Sequence, residues 1–171
     1  MADCPCTIEA IARECGRNTA SMKPVLYASC PDQIASIGAA TDHAVATITM
    51  RSAVTGPPAV AAGKFFEWGC SRRDIEFQSE QDEETGVWNT TASYFIPKQT
   101  AAKAEILNNL GEENNIFIAV DMNGAKRIVG AKDLPATIRV TETTTPRNGY
   151  NVRLSWQSGE SPYFYTGSIA V

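Results

Sequence analysis

Histidine is almost absent from this chain of 171 residues: His43 is the single one. A Cys–His pair or a Ser–His–Asp triad would have to be built on that one side chain. Its setting, Thr41-Asp42-His43-Ala44, reads as a turn ahead of a strand, so a loop histidine is expected there rather than a catalytic one. Positive charge is also short. There are 15 Lys and Arg against 19 Asp and Glu, for a net charge of −4 and a pI of about 5.0. The basic pairs, Arg72-Arg73 and Lys126-Arg127, do not make a track for gripping a phosphate backbone. Long apolar runs are missing too. No window approaches the roughly 18 apolar residues of a membrane helix. The neutral stretch Ser52 to Gly63 is broken by Pro57 and Pro58. Met1 to Pro5 lacks a basic stretch followed by an apolar one, so no secretory leader is expected. With Gly 12 and Pro 9, the chain is neither collagenous nor of low complexity.

What is present describes an ordinary globular chain. Hydrophobic residues are 43% and charged residues 20%, which argues against wholesale disorder. The length suits one domain, residues 1–171, able to bury roughly 70% of its unfolded surface. Five cysteines, an odd number, argue against a closed disulfide scaffold. Four of them, Cys4, Cys6, Cys15 and Cys30, crowd the first 30 residues. They are weak candidates for a thiolate metal site, because the Cys-x-x-Cys knuckles that hold zinc are missing. One or two disulfides, or buried free thiols, are the alternatives. Cys70 reads as a strand residue.

The elements follow from spacing. Ile8, Ile11, Ala12 and Cys15 make one apolar stripe, predicting a short N-terminal helix within residues 1–21. Lys23 to Ser29 and Ala44 to Arg51 read as strands, with a short helical turn from Pro31 through Ile37 between them. Lys64 to Ser79 and Val87 to Ile96 are β-rich and flank the acidic Glu80 to Glu84. They predict a long hairpin over 64–97 with a charged tip. Thr100 to Leu110, capped by Thr100 and stopped by Gly111, is the clearest helix. Asn115 to Val120 and Lys126 to Ala131 flank Asn123-Gly124, a strong hairpin signal. Thr137 to Thr143 and Asn151 to Gln157 alternate apolar and polar residues around the Pro146 to Gly149 turn, and Tyr163 to Ala170 is a last strand. The expected fold is mainly β. It is an antiparallel sandwich or barrel of about eight strands, with one flanking helix and a protruding hairpin.

The search for chemistry is nearly empty. Gly56 to Phe65 resembles a phosphate loop only superficially: its glycine spacing is wrong, and Phe65 stands where Ser or Thr would hold magnesium. Asp82, Glu83 and Glu84 sit at a solvated tip, which does not separate carboxylate pKa values. Asn89-Thr90-Thr91 fits the glycosylation pattern but reads as strand threonines. We therefore expect no catalytic residue and no cofactor, and a structural or binding protein rather than an enzyme.

The order of elements resembles the major tail tube proteins of long-tailed bacteriophages. The resemblance rests on the Cys4 to Ser21 segment, the Val25-Leu26-Tyr27-Ala28 strand and the acidic-tipped hairpin Phe65 to Ile96. It continues through the helix Ala101 to Leu110, the strand Ile116 to Gly124 and the Arg147 to Tyr150 turn into Val152 to Trp156. It covers most of the chain without one specific motif. It implies a tube-type β-sandwich or barrel assembling as six-membered rings, stacked into a hollow tube that conducts DNA at ejection. A β-sheet would line the lumen, and the hairpin and terminal segments would bridge rings. It also implies a virion tail location after synthesis in the host bacterial cytoplasm, and tail terminator, tape measure and baseplate or tip proteins as partners. DNA would be met only in transit, and no membrane would be involved. On this reading Arg72 to Trp88 is an inter-subunit arm. The interface candidates are Arg72, Arg73, Glu80, Asp82, Glu83, Glu84 and Trp88, with Tyr163, Phe164 and Tyr165 on an apolar edge strand. The alternatives are a tail terminator or completion protein, a capsid decoration protein, or a carbohydrate-binding module stacking sugars on Trp68, Trp88 and Trp156.

Overall fold

The computed structural model describes residues 21–56, 59–72, 74–110 and 115–171. The expected N-terminal helix, with Cys4, Cys6 and Cys15, lies outside the described residues, as do Arg73 and Gly111. The fold is mainly β, with 49% of residues in strands and 8% helical. The strands are β1 (Met22–Ser29), β2 (Ile34–Ile37), β3 (Ala44–Val45), β4 (Ile48–Met50), β5 (Phe66–Gly69) and β6 (Glu76–Gln81). They continue as β7 (Trp88–Pro97), β8 (Ile116–Asp121), β9 (Lys126–Val129), β10 (Thr137–Thr143), β11 (Gly149–Ser158) and β12 (Phe164–Tyr165). One helix, α1 (Ala101–Asn108), lies between β7 and β8.

These strands form three sheets. A six-stranded sheet runs β3-β12-β9-β8-β1-β5, a four-stranded one β10-β11-β7-β6, and a two-stranded one β2-β4. Every pairing is antiparallel except β12 with β3. Among the described residues no sheet closes into a barrel.

The six-stranded sheet is buried on both faces around β8. Phe117 joins the larger cluster, while Ile116 and Ile118 join the smaller one. That is why Ile116 to Val120 is an unbroken apolar run rather than an alternating one. The larger cluster joins two sheets: Leu26, Ala28, Phe117 and Val129 from the six-stranded sheet meet Tyr94, Ile96, Val152 and Leu154 from the four-stranded one. The smaller cluster lies on the opposite face, where Ile34 on β2, Val45 and Phe65 cover Ile118 and Ile128. The helix is capped as expected, with the Lys103 N–H donating to Thr100 Oγ1 at 3.3 Å, and it buries Leu107 in the larger cluster. The Asn123-Gly124 turn joins β8 to β9, with Gly124 at φ 93°, where an L side chain would be strained.

The structure corrects the sequence reading in four places. Residues 34–37 form a strand after a single 3-10 turn, Pro31–Gln33. Ala44 to Arg51 is two short strands in two sheets, because Ala46-Thr47 breaks the run. Residues 64–97 are not one hairpin. Phe66 to Gly69 crosses to pair with β1, so the hairpin is β6 with β7, from Glu76↔Ser93 to Gln81↔Trp88. It is not a free ribbon either, since β11 holds β7 along its other side from Gly149↔Pro97 to Ser158↔Trp88. Lastly, Tyr163 to Ala170 supplies only β12, which lies between β3 and β9 and is therefore no edge.

A half-buried thiol beside a buried tyrosine carries a pH signature. Cys70 follows β5 and is held by its N–H on Pro24 O at 2.9 Å, and burial pushes its thiol from 9.0 up to about 12. Tyr94 is 2% exposed, its hydroxyl has no hydrogen-bond partner among the described residues, and burial raises its pKa as well, with Cys70 adding to the shift. A pKa raised on folding means the folded chain holds protons that the unfolded chain releases. The stability from the neutral thiol is whole below pH 9 and drains as pH climbs through about 12. Cys70→Ala removes that titration, so urea melts between pH 8 and pH 11, about either side of the free-thiol range, should show a shallower alkaline loss than the unmodified chain. Parallel curves would exclude Cys70 as the source.

Candidate assembly surface

The four-stranded sheet has one apolar face and one polar face. Alternation puts Tyr150, Val152, Leu154 and Trp156 of β11 inward, and Asn151, Arg153, Ser155 and Gln157 outward and exposed. The same rule turns Thr137, Arg139 and Thr141 of β10 outward, with Asn89, Thr91 and Ser93 of β7 and Glu76, Gln78 and Glu80 of β6. Gln157 Nε2 donates to Asn89 Oδ1 at 2.9 Å across this face. One large apolar side chain faces this way, Phe95. It is 3% exposed because the Arg147 guanidinium lies over its ring, 4.8 Å from the centroid. Arg147 is pinned by a bidentate pair with Asp74. Arg147, in the turn before β11, thus ties that turn to the segment entering β6 and seals that end of the face.

Both edges of this sheet are unpaired among the described residues. On one side β10 is bonded only to β11, in an unbroken register from Thr137↔Ser155 to Thr143↔Gly149. On the other side β6 is bonded only to β7. An exposed edge of this length offers backbone donors and acceptors to another strand.

At the end of β6 the acidic tip is an ordered turn. Asp82 Oδ1 accepts from the Thr85 N–H at 2.7 Å, the Thr85 hydroxyl at 2.8 Å and the Glu84 N–H at 3.0 Å. The Thr85 N–H foremost, then its hydroxyl, holds the Asp82 carboxyl below its ordinary range. Asp82 therefore builds the turn, while Glu83 and Glu84 stay exposed.

The residues expected at the interface are not brought together. Arg72 is exposed in the connection before β6, at the far end of that strand from Glu80 to Glu84. Trp88 is half-buried at the start of β7, paired with Gln81 and Ser158. Phe164 and Tyr165 form β12 of the six-stranded sheet, and Tyr163 directly precedes them. Arg127 lies 4.4 Å over the Phe164 ring, and Tyr165 is buried, donating to Ser168 O at 2.7 Å. The three tryptophans form no common platform. Trp156 is 7% exposed and spends its indole N–H on Leu134 O, and Trp68 packs edge-on against Phe117.

Other candidates carry little. Cys30 is the one proposed thiolate ligand among the described residues. Its pKa is raised by burial and by Asp32, and no metal-binding group of side chains occurs among the described residues. His43 does sit in a turn, at φ 59°, and its Nε2 lies 2.7 Å from Ser161 Oγ, beside the Tyr163 ring. Sequence reasoning missed Ser161, which lies 118 positions away. It also missed Arg139, Arg153 and Glu76, whose only local sign is their place in an alternating strand. No helix among the described residues is long and apolar enough to cross a membrane. Compared with known proteins, the chain matches no family model, no curated protein and no solved structure.

Proposed function

We propose that this chain is a ring-forming subunit of a hollow virion tube, the tail-tube reading that the order of elements implies. On this reading the two larger sheets form a sandwich, and the polar face of the four-stranded sheet lines the conduit. The observation that carries it is that sheet itself: one face almost wholly polar, two edges unpaired among the described residues, and an even number of alternating strands. Because β10 and β6 run in opposite directions, rotating a copy about an axis along the strands sets its β6 antiparallel to β10 of the first. The contact is heterologous, and repeating the same rotation closes a ring. Every copy then turns its polar face to the same side.

The chemistry of that face suits a passage for nucleic acid. A polyanion is held by clusters of Lys and Arg that release counterions. Here hydroxyls and amides of Thr91, Ser93, Ser155 and Asn151 dominate, and the two arginines are matched by Glu76 and Glu80. Such a wall wets the lumen without arresting DNA. The acidic tip, at the end of an edge strand, is placed to reach a neighbouring copy or ring.

Negative-stain electron microscopy at several protein concentrations, with light scattering on the same samples, tests this. Stacked rings or tubes are the expected result. Single rings that never stack would favour a tail terminator. A strict monomer at every concentration would overturn the proposal.

A further inference from the structure

The charges of the polar face are sorted to its two sides. Arg139 lies on β10, and Arg153 lies directly across from it on β11. Glu76 and Glu80 lie on β6, the opposite edge strand. Between them β7 presents only uncharged polar side chains in these rows. Arg139, Arg153, Glu76 and Glu80 are all exposed. Two like charges directly opposed on neighbouring strands repel, and no ion pair among the described residues offsets the arginine pair. The one ion pair among the described residues is Arg147 with Asp74. The third acid of these strands, Glu142 on β10, pairs in register with inward-facing Tyr150 and so points to the other face.

We propose that Arg139 and Arg153 of one copy and Glu76 and Glu80 of the next form a charge key that sets the direction and stagger of β10–β6 pairing between copies. The inference rests on the ring reading above and adds which residues specify its contact. The register supports it. Arg139 pairs with Arg153, Arg153 with Ser93, and Ser93 with Glu76, so all four lie in one row across the sheet. In a copy placed level with the first, Glu76 therefore lies directly across from Arg139. A stagger of two residues would present Gln78, and one of four would present Glu80. An odd stagger would turn the face over, setting apolar residues against polar ones. Among the residues of β6, only the level and four-residue staggers set an opposite charge across from Arg139.

The same arrangement rejects wrong partners. Pairing β10 with β10 of a second copy brings two arginine-bearing sides together, and pairing β6 with β6 brings two glutamate-bearing sides together. Both are twofold contacts, which close on themselves instead of propagating head to tail around a ring. Like-charge juxtaposition penalises them and leaves the head-to-tail contact. The repulsion between Arg139 and Arg153 within one chain is thereby relieved on assembly.

Charge reversal tests the key in the full-length chain. R139E/R153E and E76K/E80K each change exposed side chains only, and circular dichroism with thermal melting checks that both remain folded. Each variant alone should lose the rings or tubes that the unmodified chain forms. An equimolar mixture should recover them, because each variant's β10 then meets a complementary β6. So should the fourfold variant E76K/E80K/R139E/R153E, which inverts both sides of the contact in one chain. If the folded double reversals assemble like the unmodified chain, the key is wrong while the ring reading stands. If they fail and neither the mixture nor the fourfold variant recovers, charge pairing is not what the residues supply, and the key is again wrong. A monomeric unmodified chain overturns the ring reading and the key together.

Discussion

Gly149→Ala should lower the unfolding free energy by roughly 3 kcal/mol, at the upper end of what overpacking costs. Gly149 opens β11, opposite Pro97 of β7. A Cβ there would lie 2.3 Å from Ile96 O and 2.6 Å from Phe95 Cζ. The first of these is backbone, which no rotamer change can move aside, so β11 must separate from β7 where β11 begins and β7 ends. That junction holds the four-stranded sheet together, so the substitution should reduce assembly along with stability. Gly159→Ala is the control, because nothing lies within 4 Å of its added Cβ. It should change stability little, or raise it by a few tenths of a kcal/mol through the unfolded chain. Urea unfolding of both variants checks the contrast. Equal midpoints would mean that β11 and β7 do not approach as closely as described.

Phe117→Ala should cost about 3–5 kcal/mol, the range for a buried aromatic truncated to a methyl group. Phe117 is fully buried, in the cluster that joins the six-stranded to the four-stranded sheet, with the Trp68 ring set edge-on 6.1 Å away. Its loss leaves a cavity between two sheets whose backbones are each pinned by long ladders, so collapse is limited. Against a total stability of about 5–15 kcal/mol for a domain, the variant should be close to unfolded at moderate temperature. Phe66→Ala provides the comparison. Phe66 is 49% exposed with Lys64 over its ring, and an exposed cation–π contact contributes only about 0.5–1 kcal/mol. Thermal melts that place the two variants together would refute the burial described for Phe117.

The local rules explain which elements were legible. Alternation in Thr137 to Thr143 and Asn151 to Gln157 predicted β10 and β11 together with their inward residues, since period two is a property of the strand itself. Asn123-Gly124 predicted the β8–β9 hairpin because a positive φ is needed there and glycine supplies it. Thr100 marked the start of α1 through its hydroxyl on the Lys103 N–H. Where local chemistry was neutral, the reading failed. Phe65 to Gly69 is as β-prone as the residues after it, and nothing nearby says that it leaves the hairpin to pair with β1. Tyr163 to Val171 looked like an exposed apolar edge, yet Phe164 lies in a sheet interior under Arg127, which is 37 positions earlier in the chain. The candidate interface suffered in the same way. The acidic tip was visible as composition, but the row that places Arg139 and Glu76 on opposite edges of the sheet was not.

By itself, then, the sequence determined the dominance of β-structure, the helix that Thr100 caps and the turns that need glycine. Each of these depends on residues within a few positions of one another. Only the tertiary structure decided which strands are edges, which face of the four-stranded sheet is polar from side to side, and that Arg139 and Glu76 end one row. Those are matters of pairing between segments tens of residues apart, chosen by the packing of Phe117, Tyr94 and Leu154 in a shared core. No short stretch of sequence records that choice, because the free energy that enforces it appears only when the sheets meet.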